Sequence, residues 1–230
     1  MRDKMDRNGL IVPPEFDNIS KYLESGTMTQ ITDNLKKVSD KIEGDTEGII
    51  IRKLIVWLNT NTKRLNNPKD ERKFKRTAEE IMLSGERTGC CDSATLYTAL
   101  ARSKGIPTMQ IITFSKKWAE GLSKGESKAA TKGHFFAASY IKDVHENSSW
   151  VIIDPDQNVQ DIGRVRITQL DTNNRNIFND YYAFAYVKDY RDVAIDGIKI
   201  NSKNNMAIIQ EKAYRKCSRE IFMNNDEYER

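Results

Sequence analysis

The chain has little of what stapled, metal-bound or membrane-embedded proteins depend on. Of its 230 residues, three are cysteine and two are histidine. Three cysteines at no repeated spacing exclude a disulfide framework and point to a reducing compartment. No CxxC pair occurs, and Cys90, Cys91 and His134 have no evident fourth ligand, so neither a metal nor an organic cofactor is expected. Long apolar runs are also missing. The greasiest stretch, GIIIRKLIVWL, is broken by Arg52 and Lys53, and MRDKMDRNGL carries charges where a signal peptide needs an apolar segment. No membrane segment and a cytoplasmic location are the expectation. Charge of one sign is lacking as well. Lysine and arginine number 37 against 33 acids, a net +4 with the signs interspersed, which is no basic stripe of the kind nucleic acid binders carry. No repeat, low-complexity tract or linker divides the chain, so one domain is expected.

What is present is a change of period. Ile31, Leu35, Val38 and Ile42 recur at helical spacing, and a second helix is predicted over residues 47–64 with Ile50, Leu54, Trp57 and Leu58 on one side. A third is expected over residues 69–83, after the break Asn66-Asn67-Pro68. A fourth begins at Cys90 and is stopped by Gly105 and Pro107. Beyond Pro107 come short β-like runs, MQIITF, HFFAASYI, SWVIID, RVRITQL and YYAFAYV, before a helical tail over residues 205–223 in which Cys217 reads as core. Helices first and an antiparallel sheet afterwards define an α+β domain.

The adjacent thiols Cys90 and Cys91 open the fourth helix. On helical geometry Cys90 shares a face with Ala94, Tyr97 and Ala101 that should press on the sheet, whereas Cys91, Thr95, Thr98 and Arg102 form a more polar face. A thiol in a first turn meets unpaired N–H groups and the positive end of the helix dipole, which favour thiolate. On position alone the plainer reading is a small buried filler. Asp92 reads as a complement to the same dipole. Only His134 and His145 can supply an imidazole. His145 lies in the polar connection KDVHENS, the ordinary place for a solvated histidine. If HFFAASYI and SWVIID pair as a hairpin centred near Val144, His134 faces Asp154, Phe136 faces Ile152 and Ala138 faces Trp150, with His134 and Asp154 on one face. Opposed Cβ atoms lie about 5 Å apart, within reach of an imidazole–carboxylate hydrogen bond. Thiol, base and orienting acid are what acyl transfer through a cysteine requires.

The stretch from Cys90 through Asp92, Ala94, Leu96, Ala99-Leu100, Arg102 and Gly105-Ile106-Pro107 resembles the nucleophile motif of the transglutaminase-like superfamily. His134 before an apolar strand, and Trp150 with Asp154-Pro155, are similar to that family's histidine and aspartate motifs. The resemblance covers residues 49–155. It implies a papain-like α+β fold, with the nucleophile at the start of a central helix packed on an antiparallel sheet. It implies Cys90 as nucleophile, His134 as base and Asp154 as orienting acid. It departs in placing Thr88 where a glycine often stands two residues before the nucleophile, which keeps Cys91 as a second candidate. The arginine often seen past Gly-Ile-Pro is absent at Thr108 and Met109.

A single transglutaminase-like domain over residues 1–230 is therefore expected, with an N-terminal helical extension (1–45), a catalytic core (46–195) and a C-terminal helical tail (196–230). Hydrolysis of peptide or protein amides through a thioester is the leading expectation. Crosslinking or deamidation, and a non-catalytic binding scaffold on the same fold, are the alternatives. The backbone N–H of Cys90 should serve an oxyanion hole, with Gln30 and Gln110 offering a second donor by residue type alone. Trp118, Phe135 and Trp150 are candidate substrate contacts. Residues 115–133, rich in lysine and glycine, are read as a loop bordering the cleft, its Lys116, Lys117, Lys124 and Lys128 favouring acidic substrates.

Overall fold

The computed structural model describes residues 14–65, 67, 69–125, 133–143, 145–171 and 175–223, with side chains as far as Cys217. The N-terminal stretch 1–13, the expected break at Asn66 and Pro68, Lys128 within 126–132, the expected hairpin centre Val144 and the end of the tail lie outside the described residues.

A short 3-10 turn (Ile19–Leu23) precedes α1 (Asp33–Ser39) and α2 (Glu47–Asn61). Thr32 and Thr46 cap the two helices, their hydroxyls accepting from the N–H groups of Leu35 and Ile49. Next come β1 (Lys63–Arg64), α3 (Ala78–Ser84) and β2 (Glu86–Arg87), with β1 and β2 paired in parallel. The helix expected over 69–83 is thus confined to its last part. Phe74 takes a left-handed φ of 62°, which no helix continues through, and Thr77 with Glu80 forms a capping box that starts α3 afresh. The unusual backbone at Phe74 is held by burial of its ring against Phe135 and Tyr190 and by Arg191, which donates to its carbonyl at 3.0 Å.

Helix α4 (Cys90–Ser103) ends in a Schellman motif. Ile106 N donates to Ala101 O at 3.0 Å and Gly105 N to Arg102 O at 2.9 Å, with Gly105 at φ 75°. This is the physical content of the Gly-Ile-Pro signal. The helix is buried from Cys91 to Arg102, so the expected division into a sheet-facing and a more polar face is corrected. The polar residues are satisfied inside. Arg102 donates to Thr108 O at 2.6 and 2.9 Å, to Lys188 O at 2.7 Å, to Thr29 Oγ1 at 2.9 Å and to Glu24 O at 3.0 Å. Burial lowers the pKa of this guanidinium to about 10, with Asp189 opposing the fall. It fastens residues 24–29, the start of the sheet and the chain after its last long strand to one point. Arg102→Met should therefore leave buried carbonyls without donors and cost about 3–5 kcal/mol, read as a lower urea midpoint. A loss under about 1 kcal/mol would mean that the guanidinium is not what satisfies them.

The sheet follows as β3 (Thr108–Ser115), β4 (Phe135–Lys142), β5 (Ser148–Ile153), β6 (Ile167–Gln169), β7 (Asn176–Ile177) and β8 (Tyr181–Val187). Its order is β6-β5-β4-β3-β8-β7, antiparallel throughout. Both faces of β3–β5 are covered, which explains their near-continuous apolar runs. Phe135, Ala137, Ile112 and Ile153 face the helices. Met109, Ile111, Phe136, Ala138, Trp150 and Ile152 pack on the other side with Tyr22 and Phe16. The two-residue strands β9 (Ala194–Ile195) and β10 (Ile198–Lys199) form a hairpin before α6 (Lys203–Met223). Met206, Ile209, Ala213 and the buried Cys217 dock α6 onto Phe114 and Phe184.

The segment expected as a loop from residue 115 begins as helix α5 (Lys116–Ser123), capped by the Ser115 hydroxyl, which accepts from Trp118 N at 3.2 Å. Trp118 is buried, its ring 5.7 Å from Phe114 and 5.5 Å from Tyr214. It is a core residue, and its expected role as a substrate contact is corrected.

Candidate active site

Cys90 and Cys91 part company at the start of α4. Cys91 is 4% exposed within the apolar core, and burial, with Asp92 and Cys90 adding to it, pushes its thiol well above the ordinary cysteine range. Cys90 is half-buried and lines a cavity of about 400 Å³. The turn before it is held by Asp92, buried and ion-paired to Arg76, whose carboxylate accepts from Thr88 N and Thr88 Oγ1, both at 2.7 Å. Asp92 therefore does more than the expected complement to the dipole. It fixes the loop that delivers Cys90.

His134 stands just before β4. Its N–H donates to Thr113 Oγ1 at 3.2 Å, and its carbonyl accepts from Thr113 Oγ1 at 2.9 Å and Thr113 N at 3.2 Å. Gly133 must lack a side chain, because a Cβ there would collide with Gln210 of α6 and the Thr113 carbonyl. The ring lies 4.5 Å from Phe136 and 5.6 Å from Tyr181, centre to centre.

The hairpin register differs from the expected one. Ala138 pairs with Ile152 and Tyr140 with Trp150, where Phe136 with Ile152 and Ala138 with Trp150 were expected. The loop is centred on His145, with Glu146 at φ 64°, the geometry of a three-residue connection. An offset of two residues preserves the sheet face, so His134 meets Asp154 diagonally and not directly opposite. His134 Nε2 lies 2.9 Å from Asp154 Oδ1. The side chains are 17% and 30% exposed, respectively. With Nε2 so engaged, Nδ1 is the ring nitrogen left to serve Cys90. Burial works to lower the imidazole pKa, but the charge of Cys90 and the bond to Asp154 outweigh it and hold it well above the ordinary histidine range.

Asp156, two residues beyond Asp154, ties acid and nucleophile helix together. Its backbone N donates to Asp154 Oδ1 at 2.9 Å, while its buried carboxylate accepts from Ser93 Oγ of α4 at 2.7 Å and pairs with Arg87 at 3.1 Å and Arg64 at 2.7 Å. This knot was not among the expected site features. Its signal was the second acid in Asp154-Pro155-Asp156.

The remaining expectations separate. Phe135 is buried and lines the cavity beside Cys90. Trp150 is buried on the far side of the sheet among Tyr22, Phe16 and Tyr140 and lines neither cavity beside His134 and Cys90, which corrects its role as a substrate contact. Gln110 is fully buried, its Oε1 accepting from Tyr190 N at 2.7 Å and its Nε2 donating to Thr95 Oγ1 at 3.4 Å, so both ends of the amide are spent on the core. Gln30 is exposed. His145 is exposed in its turn, as expected. Lys116 lies 5.0 Å from the Tyr182 ring centre, and neither it, Lys117 nor Lys124 lines either cavity. Among the described residues no three His, Cys, Asp or Glu side chains converge as metal ligands, and no helix is long and apolar enough to cross a membrane.

A helix-start cysteine packed on an antiparallel sheet whose strand ends carry histidine and aspartate defines the papain-like α+β class. The chain belongs to the transglutaminase-like superfamily, whose family model matches residues 36–155, a family of cysteine-dependent hydrolases and acyltransferases. No curated protein matches the chain. Among solved structures it is similar to "a putative cysteine protease" from Cytophaga hutchinsonii, with a TM-score of 0.52 and 17% identity over 83% of this chain and 55% of that one. That likeness is one of fold, and the chain spans little more than half the length of that protein.

Proposed function

We propose that the protein is a cysteine hydrolase of peptide or protein amides, acting through Cys90, His134 and Asp154. The observation that carries the reading is the His134–Asp154 bond of 2.9 Å, which leaves Nδ1 for the thiol on a ring whose pKa the charge of the half-buried Cys90 helps to raise. Nδ1 of His134 takes the thiol proton, and the sulfur attacks the amide carbon to form a tetrahedral adduct. As the first helical residue, Cys90 has a backbone N–H with no partner inside the helix, and this N–H is available to the developing oxyanion. The imidazolium passes its proton to the departing amine and leaves a thioester, which water then cleaves with His134 again as base. Asp154 fixes the tautomer and balances the charge of the ring.

Rapid-quench intact-mass spectrometry with an activated peptide ester tests the reading. A hydroxylamine-sensitive acyl adduct mapped to Cys90 is expected. No adduct at Cys90 in protein whose Cys90 still reacts with iodoacetamide would refute it.

A further inference from the structure

The proposed site lies between two unlike cavities. His134 and Asp154 line one of about 1150 Å³, together with Phe136 and Ile152 of the far sheet face, whereas Cys90 lines the 400 Å³ cavity on the helix side. The amine must leave toward the imidazolium that protonates it, so the acyl group bound to sulfur extends the other way, into the cavity of Cys90. Lys73, Arg64 and Lys203 line that cavity, and no aspartate or glutamate does among the described residues. Arg64 shares Asp156 with Arg87, two guanidinium groups on one carboxylate, so that cluster keeps a surplus positive charge. Lys73 is half-buried, and among the described residues its ammonium has no acceptor. It hangs over the residue preceding the nucleophile, since a Cβ on Gly89 would lie 3.7 Å from Nζ. The backbone turn at Phe74, next in sequence, is held by its ring packed against Phe135 and Tyr190.

We propose that this cavity selects an acyl group bearing a carboxylate, which the Lys73 ammonium binds. The proposal rests on Cys90 as the nucleophile. It moves the expected preference for acidic substrates from the lysines of residues 115–133 to a built pocket on the other side of Gly133.

Acyloxymethyl ketones of acetyl-glutamate, acetyl-glutamine and acetyl-lysine test it, with the rate of Cys90 labelling read for each. The quotient of two rates within one variant cancels any change in the thiol itself. A charge-assisted hydrogen bond in a half-buried site should favour the glutamate over the glutamine probe about tenfold at low salt. The preference should fall toward unity in Lys73→Gln, persist in Lys73→Arg, shrink with added salt and give way to the lysine probe in Lys73→Glu. A wild-type quotient near one, or one that survives Lys73→Gln, overturns the proposal. So does a Cys90 that takes iodoacetamide but none of the ketones. Failure of the catalytic reading shows separately, as iodoacetamide labelling that His134→Ala leaves unchanged, and the charge quotient is read either way.

Discussion

Exchange of Cys90 for serine is expected to abolish labelling of this position by thiol probes and to lower amide turnover by about 10⁴-fold or more, whereas Cys91→Ala keeps most of both. The two side chains are neighbours in sequence with opposite surroundings. Both border the same cavity, but Cys90 is half-buried and its charge acts on the His134 ring. Cys91 is packed in the core, where burial holds it as a neutral thiol, and the thiolate is the nucleophile. Removing the buried sulfur leaves a small cavity worth about 1–2 kcal/mol, a loss of stability and not of chemistry. Peptide mapping after labelling, with circular dichroism to show that each variant folds, separates the cases. Labelling lost in Cys91→Ala and kept in Cys90→Ser would reverse the assignment.

How much of this was legible in the sequence depended on whether a feature needed only periodicity or also needed partners. That His134 and Asp154 share a face follows from strand parity, which survives any even error of register. The register itself rests on the connection, and the left-handed Glu146 that shifts it by two has no glycine to announce it. The start and stop of α4 were readable because Cys90 follows a glycine and Gly105 closes a Schellman motif. Its burial on all sides was not readable. Arg102 looks like a solvated charge until the carbonyls of Glu24 and Lys188, from two remote segments, converge on it with that of nearby Thr108. Two misses left local signals. Thr77 and Glu80 spell a capping box, and Ser115 followed by Trp118, Ala119 and Leu122 spells a short capped helix that a lysine-rich composition obscures. Lys73 left none, because its position over Gly89 depends on a left-handed phenylalanine held by tertiary packing.

In the wild-type protein the ring of His134 is expected to stay protonated well above the ordinary histidine range, and to give up that proton at lower pH once Cys90 is replaced by alanine. Burial alone would push the other way, since an imidazolium loses hydration inside the protein. The charge of Cys90 and the bond to Asp154 outweigh it. Cys90→Ala removes the first, and Asp154→Asn weakens the second, leaving an amide that still accepts a hydrogen bond but carries no charge. With both changed only burial remains, and the ring should titrate below the free value of about 6.5. Linkage requires the converse. The base that takes the Cys90 proton also activates its sulfur, so His134→Ala should slow iodoacetamide labelling of Cys90 by about tenfold or more. The chain has two histidines, so proton–carbon spectra of the ring C–H groups contain two sets of signals, and His145→Gln assigns them. The same charges place the alkaline limb of amide turnover. It should move to lower pH in Asp154→Asn, because the ring that must deliver a proton to the leaving amine then loses its own proton sooner. A His134 titration that is the same in wild type and Cys90→Ala would mean that ring and thiol share no proton, and the mechanism would lose its base.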